Sequence, residues 1–328
     1  MNLFSAAAAS LYGAVGRARN HFYDSGALKQ QRLERPVVSV GNLSVGGAGK
    51  TPFVVTLGTL LLERGIKFDV LSRGYGRSST GVHIVDALGT ARDHGDEPLL
   101  IARRLGGPVI VGESRSEAGA LAEKKFPSEM HLLDDGFQHR ELARDFDIVL
   151  VTPDDARDQL LPAGRLREPL GALRRADAVV LMSGAKPEDF PLAGKLVWRA
   201  RRGISPKGLP KKAVAFCGIA RPQNFLLQLK LAGCEPSAAA AFRDHYHYKQ
   251  SDIADLLELR RQSDAEVFVT TEKDAINLGP LLDQLHPIAI AQVTMQLADA
   301  GAAIDAMLRV LADKRGTRET IPLPQTGQ

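Results

Sequence analysis

Cysteine is scarce in this chain: Cys217 and Cys234 are the only two among 328 residues. Two cysteines cannot form a disulfide framework or a four-cysteine zinc site, so both classes of site are excluded. Each cysteine has apolar neighbours in the sequence, which predicts a small core residue and not a reactive thiol.

Long hydrophobic runs are missing as well. No stretch reaches the roughly 18 consecutive apolar residues that a transmembrane helix needs. Internal repeats and low-complexity blocks are also absent from the sequence. Hydrophobic residues nevertheless make up 44% of the chain. That content is enough to bury a core, so an intrinsically disordered chain is excluded.

The sequence also lacks a strong excess of charge of either sign. Lys and Arg number 42 against 38 Asp and Glu, which gives a net charge of +4. The sequence has no basic run of the kind that follows a nucleic-acid backbone, so we expect no nucleic-acid partner. The mild basicity suits an anionic ligand or an acidic membrane surface.

The first 20 residues form an unusual alanine-rich segment. It lacks the positively charged start of a signal peptide, because its arginines, Arg17 and Arg19, follow the apolar part. In a helix, four apolar side chains would share one face: Phe4, Ala8, Leu11 and Val15. Two interpretations remain open: the helix packs on its own domain, or it lies on an anionic bilayer surface.

Short apolar runs alternate with helical periods along the first 200 residues. The runs predict strands at 36–40, 68–71, 109–111, 130–133, 148–151 and 178–181. The periods between them predict helices at 52–64, 97–104 and 114–125. This alternation predicts an α/β fold with a parallel sheet that is covered by helices on both faces.

A basic stretch with several glycines and prolines, 194–212, interrupts the pattern and is predicted to connect two domains. Beyond it we predict strands at 213–217, 238–242, 266–270 and 288–293, helices at 222–232, 251–261 and 297–313, and a loose tail at 315–328. The predicted organisation is an N-terminal helix over 1–25, a larger α/β domain over 26–200 and a smaller one over 201–328.

The strongest chemical signal is the run SVGGAGKT, which follows a predicted strand and precedes a predicted helix. Glycines let the backbone wrap around phosphates, with amide groups pointing inward at the helix start. In such a loop Lys50 would reach the β- and γ-phosphates of ATP, and the Thr51 hydroxyl would hold Mg²⁺. We therefore predict a phosphate loop formed by Ser44, Val45, Gly46, Gly47, Ala48, Gly49, Lys50 and Thr51.

The same run is similar to the loops of partitioning and nitrogenase-type ATPases. Those loops carry a lysine immediately before the glycine pair, and that lysine reaches across a dimer interface. Val45 occupies the position here. A membrane-recruited ATPase switch of this type is therefore disfavoured, and it stays an alternative beside a P-loop kinase of a soluble metabolite or an ATP-dependent ligase.

Two acid pairs are candidates for work on phosphates. Asp134 and Asp135 end an apolar run, which is where a P-loop fold places its Mg²⁺-coordinating acid. Asp96 and Glu97 precede a predicted helix, where acids can equally well complement the helix dipole without any ligand.

Further polar groups are expected near the carboxyl ends of the strands, where ligands bind in open α/β folds. The segment 136–139 follows the second acid pair, and the arginines of 161–169 could clamp anionic oxygens. The loop at 242–248 combines two histidines with two tyrosines and is a candidate to face a cleft.

Taken together, these segments resemble the tetraacyldisaccharide 4'-kinase family, the lipid A 4'-kinases of Gram-negative bacteria. The matching segments run in order from residue 39 to residue 278 and cover most of the chain. They are SVGNLSVGGAGKTP, LSRGYGR, GDEP, LLDDGFQH, LLPAGRLREP, FCGIARPQNF and TEKDAINL.

The resemblance implies ATP-dependent phosphorylation of the 4'-hydroxyl of a lipid A disaccharide 1-phosphate. It implies a P-loop, RecA-like α/β/α sandwich joined by a linker to a second, smaller α/β domain, with ATP and Mg²⁺ bound in the cleft. A peripheral location at the cytoplasmic face of the inner membrane follows, with the helix over 1–25 on the anionic surface. No obligate protein partner is predicted.

The resemblance also assigns roles by motif. Asp96 would be the general base on the sugar hydroxyl and His245 would orient it; we select His245 over His247 because it directly follows Asp244. Lys50 and Asp135 complete the predicted catalytic set. Thr51, Asp134 and Glu97 are the predicted metal set, with the choice between Asp134 and Asp135 open. The predicted substrate contacts are Arg115, Gln138, His139, Arg167 and Glu168.

Overall fold

The structure is a computed structural model, and it describes residues 3–319. Its α-helices are α1 (Leu3–Asp24), α2 (Lys50–Glu63), α3 (Ala91–His94), α4 (Asp96–Leu105), α5 (Arg115–Lys125), α6 (Pro222–Leu231), α7 (Gln250–Gln262), α8 (Glu272–Leu278) and α9 (Ala300–Glu319). Short 3₁₀ helices lie at Pro153–Ala156, Leu170–Arg175, Pro187–Asp189 and Gly279–Leu285.

The strands are β1 (Val37–Asn42), β2 (Phe68–Ser72), β3 (His83–Ile84), β4 (Val109–Val111), β5 (Met130–Asp134), β6 (Phe146–Val151), β7 (Ala178–Met182), β8 (Leu196–Ile204), β9 (Lys212–Cys217), β10 (Glu235–Ala241), β11 (Phe268–Thr271), β12 (Ile288–Ala291) and β13 (Val293–Leu297). They form two separate sheets.

The large sheet has the strand order β13-β8-β7-β6-β1-β5-β2-β4-β3. Its strands are parallel from β8 to β4, and the two edge strands, β13 and β3, are antiparallel to their neighbours. Strand β1 lies at the centre, between β5 and β6. The phosphate loop and the Asp134–Asp135 pair therefore lie side by side, at the carboxyl-terminal ends of two neighbouring central strands.

Helices cover both faces of the large sheet, as the apolar runs predicted. Alternate residues of each strand join different cores: Val38 and Val40 pack with α2, α4 and α9, whereas Val37 packs with α5 on the other side. Burial on both faces explains why these strands are continuously apolar. The predicted α/β sandwich is confirmed.

The small sheet has the order β10-β9-β11-β12, and all of its strands are parallel. Helix α6 packs on one face and α7 on the other. Cys217 and Cys234 are buried in the core beneath α6, which confirms them as core residues. Burial raises the pKa of the Cys217 thiol to about 12, so it is protonated at neutral pH.

The sequence-based domain boundary at residue 200 differs from the structure. The predicted connector, 194–212, contains β8, a nine-residue strand of the large sheet. The predicted strand at 288–293 is two strands: β12 ends the small sheet, and β13 returns to pair with β8. Alternating burial along β8 is a strand signal that its basic residues concealed.

The C-terminal helix α9 also belongs to the larger unit, because Ile304 and Met307 are buried in the core beneath α2. The predicted tail at 315–328 is helical as far as Glu319, and residues 320–328 lie outside the described part. The small domain is therefore an insertion between β8 and β13, connected to the large sheet by two crossings.

Helix α1 packs on the large domain through small residues, Ala9 and Gly13, which are buried. Leu11 and Val15 point away from the domain, with 67% and 61% of their surface exposed. The side chain of Phe4, predicted on the same face, lies outside the described part. Among residues 3–319, no helix combines the length and apolar character that crossing a bilayer requires.

Candidate active site

A cleft of about 980 Å³ lies between the two sheets. The phosphate loop and the acids at the end of β5 line it from the large domain. Three segments of the small domain line the other side: 219–225, 244–247 and 271–273. The cleft therefore brings together the predicted phosphate loop and the histidine loop, which are about 200 positions apart in the sequence.

The phosphate loop has the backbone that its glycines predicted. Gly46 and Gly49 adopt left-handed conformations, with φ of 93° and 91°. Such angles are unfavourable for residues with a Cβ atom. Gly49 ends the loop at the start of α2, so Lys50 and Thr51 occupy the first turn of this helix. Amides in the first turn of a helix lack partners within the helix and can bind an anion, and the residues of this turn line the cleft.

The Lys50 ammonium is held by the two neighbouring strands. Its Nζ atom donates to Oδ1 of Asn42 at 3.0 Å and lies 3.4 Å from Oδ1 of Asp135. Arg167 binds the Asp135 carboxylate with both terminal nitrogens, at 2.9 and 3.1 Å. Burial opposes ionisation of Asp135, but these cations lower its pKa to about 2. Lys50, Asp135 and Arg167 thus form one charged cluster beneath the loop.

Asp134, the neighbour of Asp135, has a carboxylate whose negative charge is poorly compensated by nearby cations. It is buried at the end of β5, and its Oδ2 atom accepts a hydrogen bond from Ser72 at 3.2 Å. Its Oδ1 atom has no hydrogen-bond partner within the described part of the chain. Burial, together with the charges of Glu97 and Asp135, raises the pKa of Asp134 to about 7.

Asp96 begins α4, and its carboxylate meets the small domain. Its Oδ2 atom accepts from Nδ1 of His245 at 2.9 Å and from Nδ2 of Asn277 at 3.1 Å. Burial opposes ionisation, but the hydrogen bond from His245 and the nearby Lys273 charge lower the pKa of Asp96 to about 2. The same hydrogen bond raises the pKa of His245. The predicted pair is in direct contact, while His247 also lines the cleft.

Like Arg167, whose Nε atom has no partner among residues 3–319, three further predicted substrate residues line the cleft with unused polar atoms. Nε of Arg115, Oε1 of Gln138 and Nε2 of His139 are buried and lack a hydrogen-bond partner among residues 3–319. Burial, followed by the charge of Arg73, lowers the pKa of Arg115 to about 10. Burial, followed by the charge of Arg115, lowers the pKa of His139 to about 4, so this imidazole is neutral at pH 7.

Glu168, the remaining predicted substrate residue, lies outside the cleft lining. Its carboxylate accepts from Asn20 of α1 at 2.7 Å and pairs with Arg175 at 2.9 Å. Arg167 faces the cleft and Glu168 faces α1. The position of Glu168 next to Arg167 in the sequence was therefore no guide to the side that Glu168 faces.

Comparison with known proteins supplies the family. A model of the LpxK family, tetraacyldisaccharide-1-P 4'-kinase, matches residues 1–312. The chain belongs to this family. A tetraacyldisaccharide 4'-kinase from Koribacter versatilis is 51% identical over 317 residues, which cover 94% of this chain and 98% of the relative. One from Aquifex aeolicus is 40% identical over 286 residues, covering 82% and 87%.

A solved LpxK structure has the same fold. The crystal structure of LpxK from Aquifex aeolicus in complex with ATP superposes with a TM-score of 0.76 and 34% identity. The alignment covers 92% of this chain and 97% of that one. The P-loop fold and the kinase class predicted from the sequence are therefore confirmed, and this chain is a phosphotransferase.

Sequence reasoning missed several residues of this cleft. Asn42 fixes Lys50, and Lys273 and Asn277 contact the Asp96 carboxylate. The ring of Tyr75 lies against His245, with centroids 5.2 Å apart. All four lie in segments that carry the family resemblance. Side-chain periodicity gave no signal for them, because each acts on a partner that is distant in the sequence.

Proposed function

We propose that this chain transfers the γ-phosphoryl group of ATP to the 4'-hydroxyl of a tetraacyldisaccharide 1-phosphate in lipid A biosynthesis. The observation that carries the proposal is one cleft lined by both the phosphate loop and His245, whose Nδ1 atom contacts the buried carboxylate of Asp96. A phosphate loop alone serves many ATPases. A carboxylate held by a histidine of the small domain can accept a proton from an acceptor hydroxyl.

The nucleotide would bind with its triphosphate along the amides of 44–51. Lys50 belongs to that loop, and its side chain would move from Asp135 towards the β- and γ-phosphates when they are present. Phosphoryl transfer has a loose transition state, so positioning and charge neutralisation contribute more than the strength of the base. Lys50 and Arg167 supply positive charge at this end of the cleft.

The residues present fit a magnesium ion. The unpartnered Oδ1 atom of Asp134 and the raised pKa of this carboxylate indicate a site that lacks positive charge. Mg²⁺ is usually held by one or two carboxylates together with substrate phosphates. Asp134, Glu97 and the Thr51 hydroxyl would hold it here, and the ion would neutralise charge on the phosphates.

Asp96 would accept the proton of the 4'-hydroxyl as the hydroxyl oxygen attacks the γ-phosphorus atom. The bond from that phosphorus to the β–γ bridging oxygen breaks, and ADP leaves. Asp96 with a pKa of about 2 is ionised at neutral pH and is a weak base. His245 would orient the carboxylate and stabilise it. Arg115, Gln138 and His139 would contact the acceptor or the phosphates through their unused polar atoms.

The acceptor carries several acyl chains, which cannot be left in water. The exposed apolar face of α1, with Leu11 and Val15, would rest in the membrane interface, and Arg17 and Arg19 would meet anionic headgroups. The chain would then act as a peripheral protein at the cytoplasmic face of the inner membrane.

A detergent-solubilised assay with ATP and Mg²⁺ tests the acceptor. We expect ADP formation to depend on the lipid disaccharide 1-phosphate. Turnover of soluble sugars without turnover of the lipid would reject the proposal in favour of a soluble-metabolite kinase. ATP-driven dimerisation with slow, acceptor-independent hydrolysis would instead favour the partitioning-type switch, and size measurement with and without ATP detects it.

A further inference from the structure

Helix α8 occupies the TEKDAINL segment, and each polar residue in its first turn has a defined partner. Glu272 pairs with Arg104 of α4 at 2.8 Å and accepts the backbone amide of Val293 at 3.2 Å. Asp274 accepts from the amide of Gly218 at 2.7 Å and from the hydroxyl of Tyr248 at 2.8 Å. The helix is thereby fixed both to α4 and to the core of the small domain.

Lys273 lies between these two anchors and extends into the cleft. Its Nζ atom is 3.1 Å from Oε1 of Glu97 and 3.7 Å from Oδ2 of Asp96. Only 18% of the side chain is exposed. One ammonium group of the small domain therefore contacts the two adjacent acids that begin α4 in the large domain.

The surroundings explain why a cation is needed at this place. Asp96 and Glu97 are consecutive carboxylates at a helix start, and the charge of Glu97 also acts on the buried Asp134. Repulsion between like charges in a partly buried site would push these side chains apart. Lys50 is already engaged by Asn42 and Asp135, so it does not compensate the pair.

We propose that Lys273 is a positioning residue for phosphoryl transfer: its ammonium group, anchored by Glu97, holds the carboxylate of Asp96 in the arrangement that the reaction uses. Asn277, one turn further along α8, donates to the same Oδ2 atom and completes the arrangement. Because Lys273 belongs to the small domain, the base is correctly oriented only when the two domains are closed against each other. The inference rests on the proposed role of Asp96.

The test compares Lys273→Met with Lys230→Met, an exposed lysine of the small domain, in the full chain with ATP and the lipid acceptor. Misplacement of a reacting group by about 1 Å can cost about 100-fold in rate. We expect kcat of Lys273→Met to fall by about that factor, while the KM for ATP changes less than about threefold. The control variant should keep the wild-type kcat.

A double-mutant cycle separates positioning from a general structural effect. In an Asp96→Asn background, Lys273→Met should lower kcat less than about twofold further, because the group that it positions is gone. Multiplicative losses, or a kcat for Lys273→Met close to wild type, would overturn the inference. If Lys273→Met does not fold, Lys273→Gln is measured in the same cycle.

The cycle also distinguishes the inference from the proposed function on which it rests. Wild-type activity of Asp96→Asn alone would refute the assignment of the base. If Asp96→Asn lowers kcat but its loss and that of Lys273→Met multiply in the double variant, only the role of Lys273 is refuted.

Discussion

The Nδ1 atom of His245 lies 2.9 Å from the Oδ2 atom of Asp96, across 149 positions of sequence and between two different sheets. His245 has a left-handed backbone, with φ of 54°. A residue with a Cβ atom adopts this conformation at a cost of about 1 kcal/mol or more, and such residues cluster at functional sites. The left-handed backbone of His245 and its contact with Asp96 both indicate a functional position.

The Asp96–His245 contact predicts kinetics that are not additive. Asp96→Asn and His245→Ala should each lower kcat strongly, and the double variant should be little worse than the poorer single variant, because both act on one proton transfer. His247→Ala is the matched control, since His247 lines the same cleft. Steady-state assays with the lipid acceptor measure all four variants. A large loss in His247→Ala with a small loss in His245→Ala would reverse the assignment.

Lys50→Ala should remove nearly all turnover without unfolding the protein. Asp135 keeps Arg167 as its partner in this variant, so no buried charge is left alone. A 1,000-fold loss of kcat would correspond to about 4 kcal/mol of barrier. The control is Lys67→Ala, an exposed lysine just before β2. Near-normal turnover of Lys50→Ala would contradict the phosphate-loop assignment.

Gly41→Ala should destabilise the fold. A Cβ atom at this position would lie 2.5 Å from the Cβ atom and 2.9 Å from the backbone nitrogen of Phe137. Phe137 is fully buried, so the clash should cost about 1–3 kcal/mol in the free energy of unfolding. Gly107→Ala meets open space and should change the free energy by less than about 0.5 kcal/mol. Urea unfolding of both variants checks this; equal stabilities would show that Phe137 can move.

The Asp96–His245 pair should stabilise the fold in a defined pH window. The pKa of Asp96 is lowered from 3.8 to about 2, so its contribution is present above pH 3.8 and is lost as the pH falls towards 2. The pKa of His245 is raised above 6.5, so its contribution is present below pH 6.5 and is lost as the pH rises through the folded-state value.

The stability difference between wild type and His245→Ala should therefore be largest between pH 4 and 6.5. Chemical unfolding at pH 5 and at pH 9 measures it. A difference that grows towards pH 9 would mean that the imidazole is neutral in the pair.

The exposed face of α1 predicts a separable effect on membrane binding. Leu11→Ser and Val15→Ser should weaken co-sedimentation with anionic vesicles by about tenfold or more each, because apolar area is no longer buried in the interface. Leu227→Ser and Leu231→Ser on α6 are matched controls, with 57% and 80% of their surface exposed. Unchanged partitioning of the α1 variants would refute the interfacial helix.

Point substitutions are better suited to this question than deletion of residues 1–20. Arg19 donates to the carbonyl of Gln138 at 3.2 Å, and Asn20 donates to Glu168 at 2.7 Å. Deletion would remove these contacts with segments that line or support the cleft. A deletion phenotype would therefore mix membrane binding with disturbance of the site.

Local chemistry made a large part of this molecule predictable. A glycine-rich loop between a strand and a helix predicts a phosphate-binding site. The acids at the end of β5 are expected beside it, because ligands bind at the carboxyl ends of the strands. Continuous apolar runs predicted the buried strands of the large sheet. The resemblance supplied the Asp96–His245 pair, which no sequence spacing could indicate.

Long-range features were outside the reach of the sequence pattern. The return of β13 to β8 depends on pairing between segments almost 100 residues apart, and the basic residues of β8 conceal its alternation. The placement of Glu168 against α1 and of Lys273 against Asp96 and Glu97 depends on tertiary packing alone.

The most direct test is a crystal structure with a non-hydrolysable ATP analogue and the lipid acceptor. We expect the terminal phosphate beside Lys50 in the loop at 44–51, with the acceptor 4'-hydroxyl within hydrogen-bond distance of Asp96. A triphosphate bound elsewhere, or a hydroxyl placed against a different base, would contradict the account.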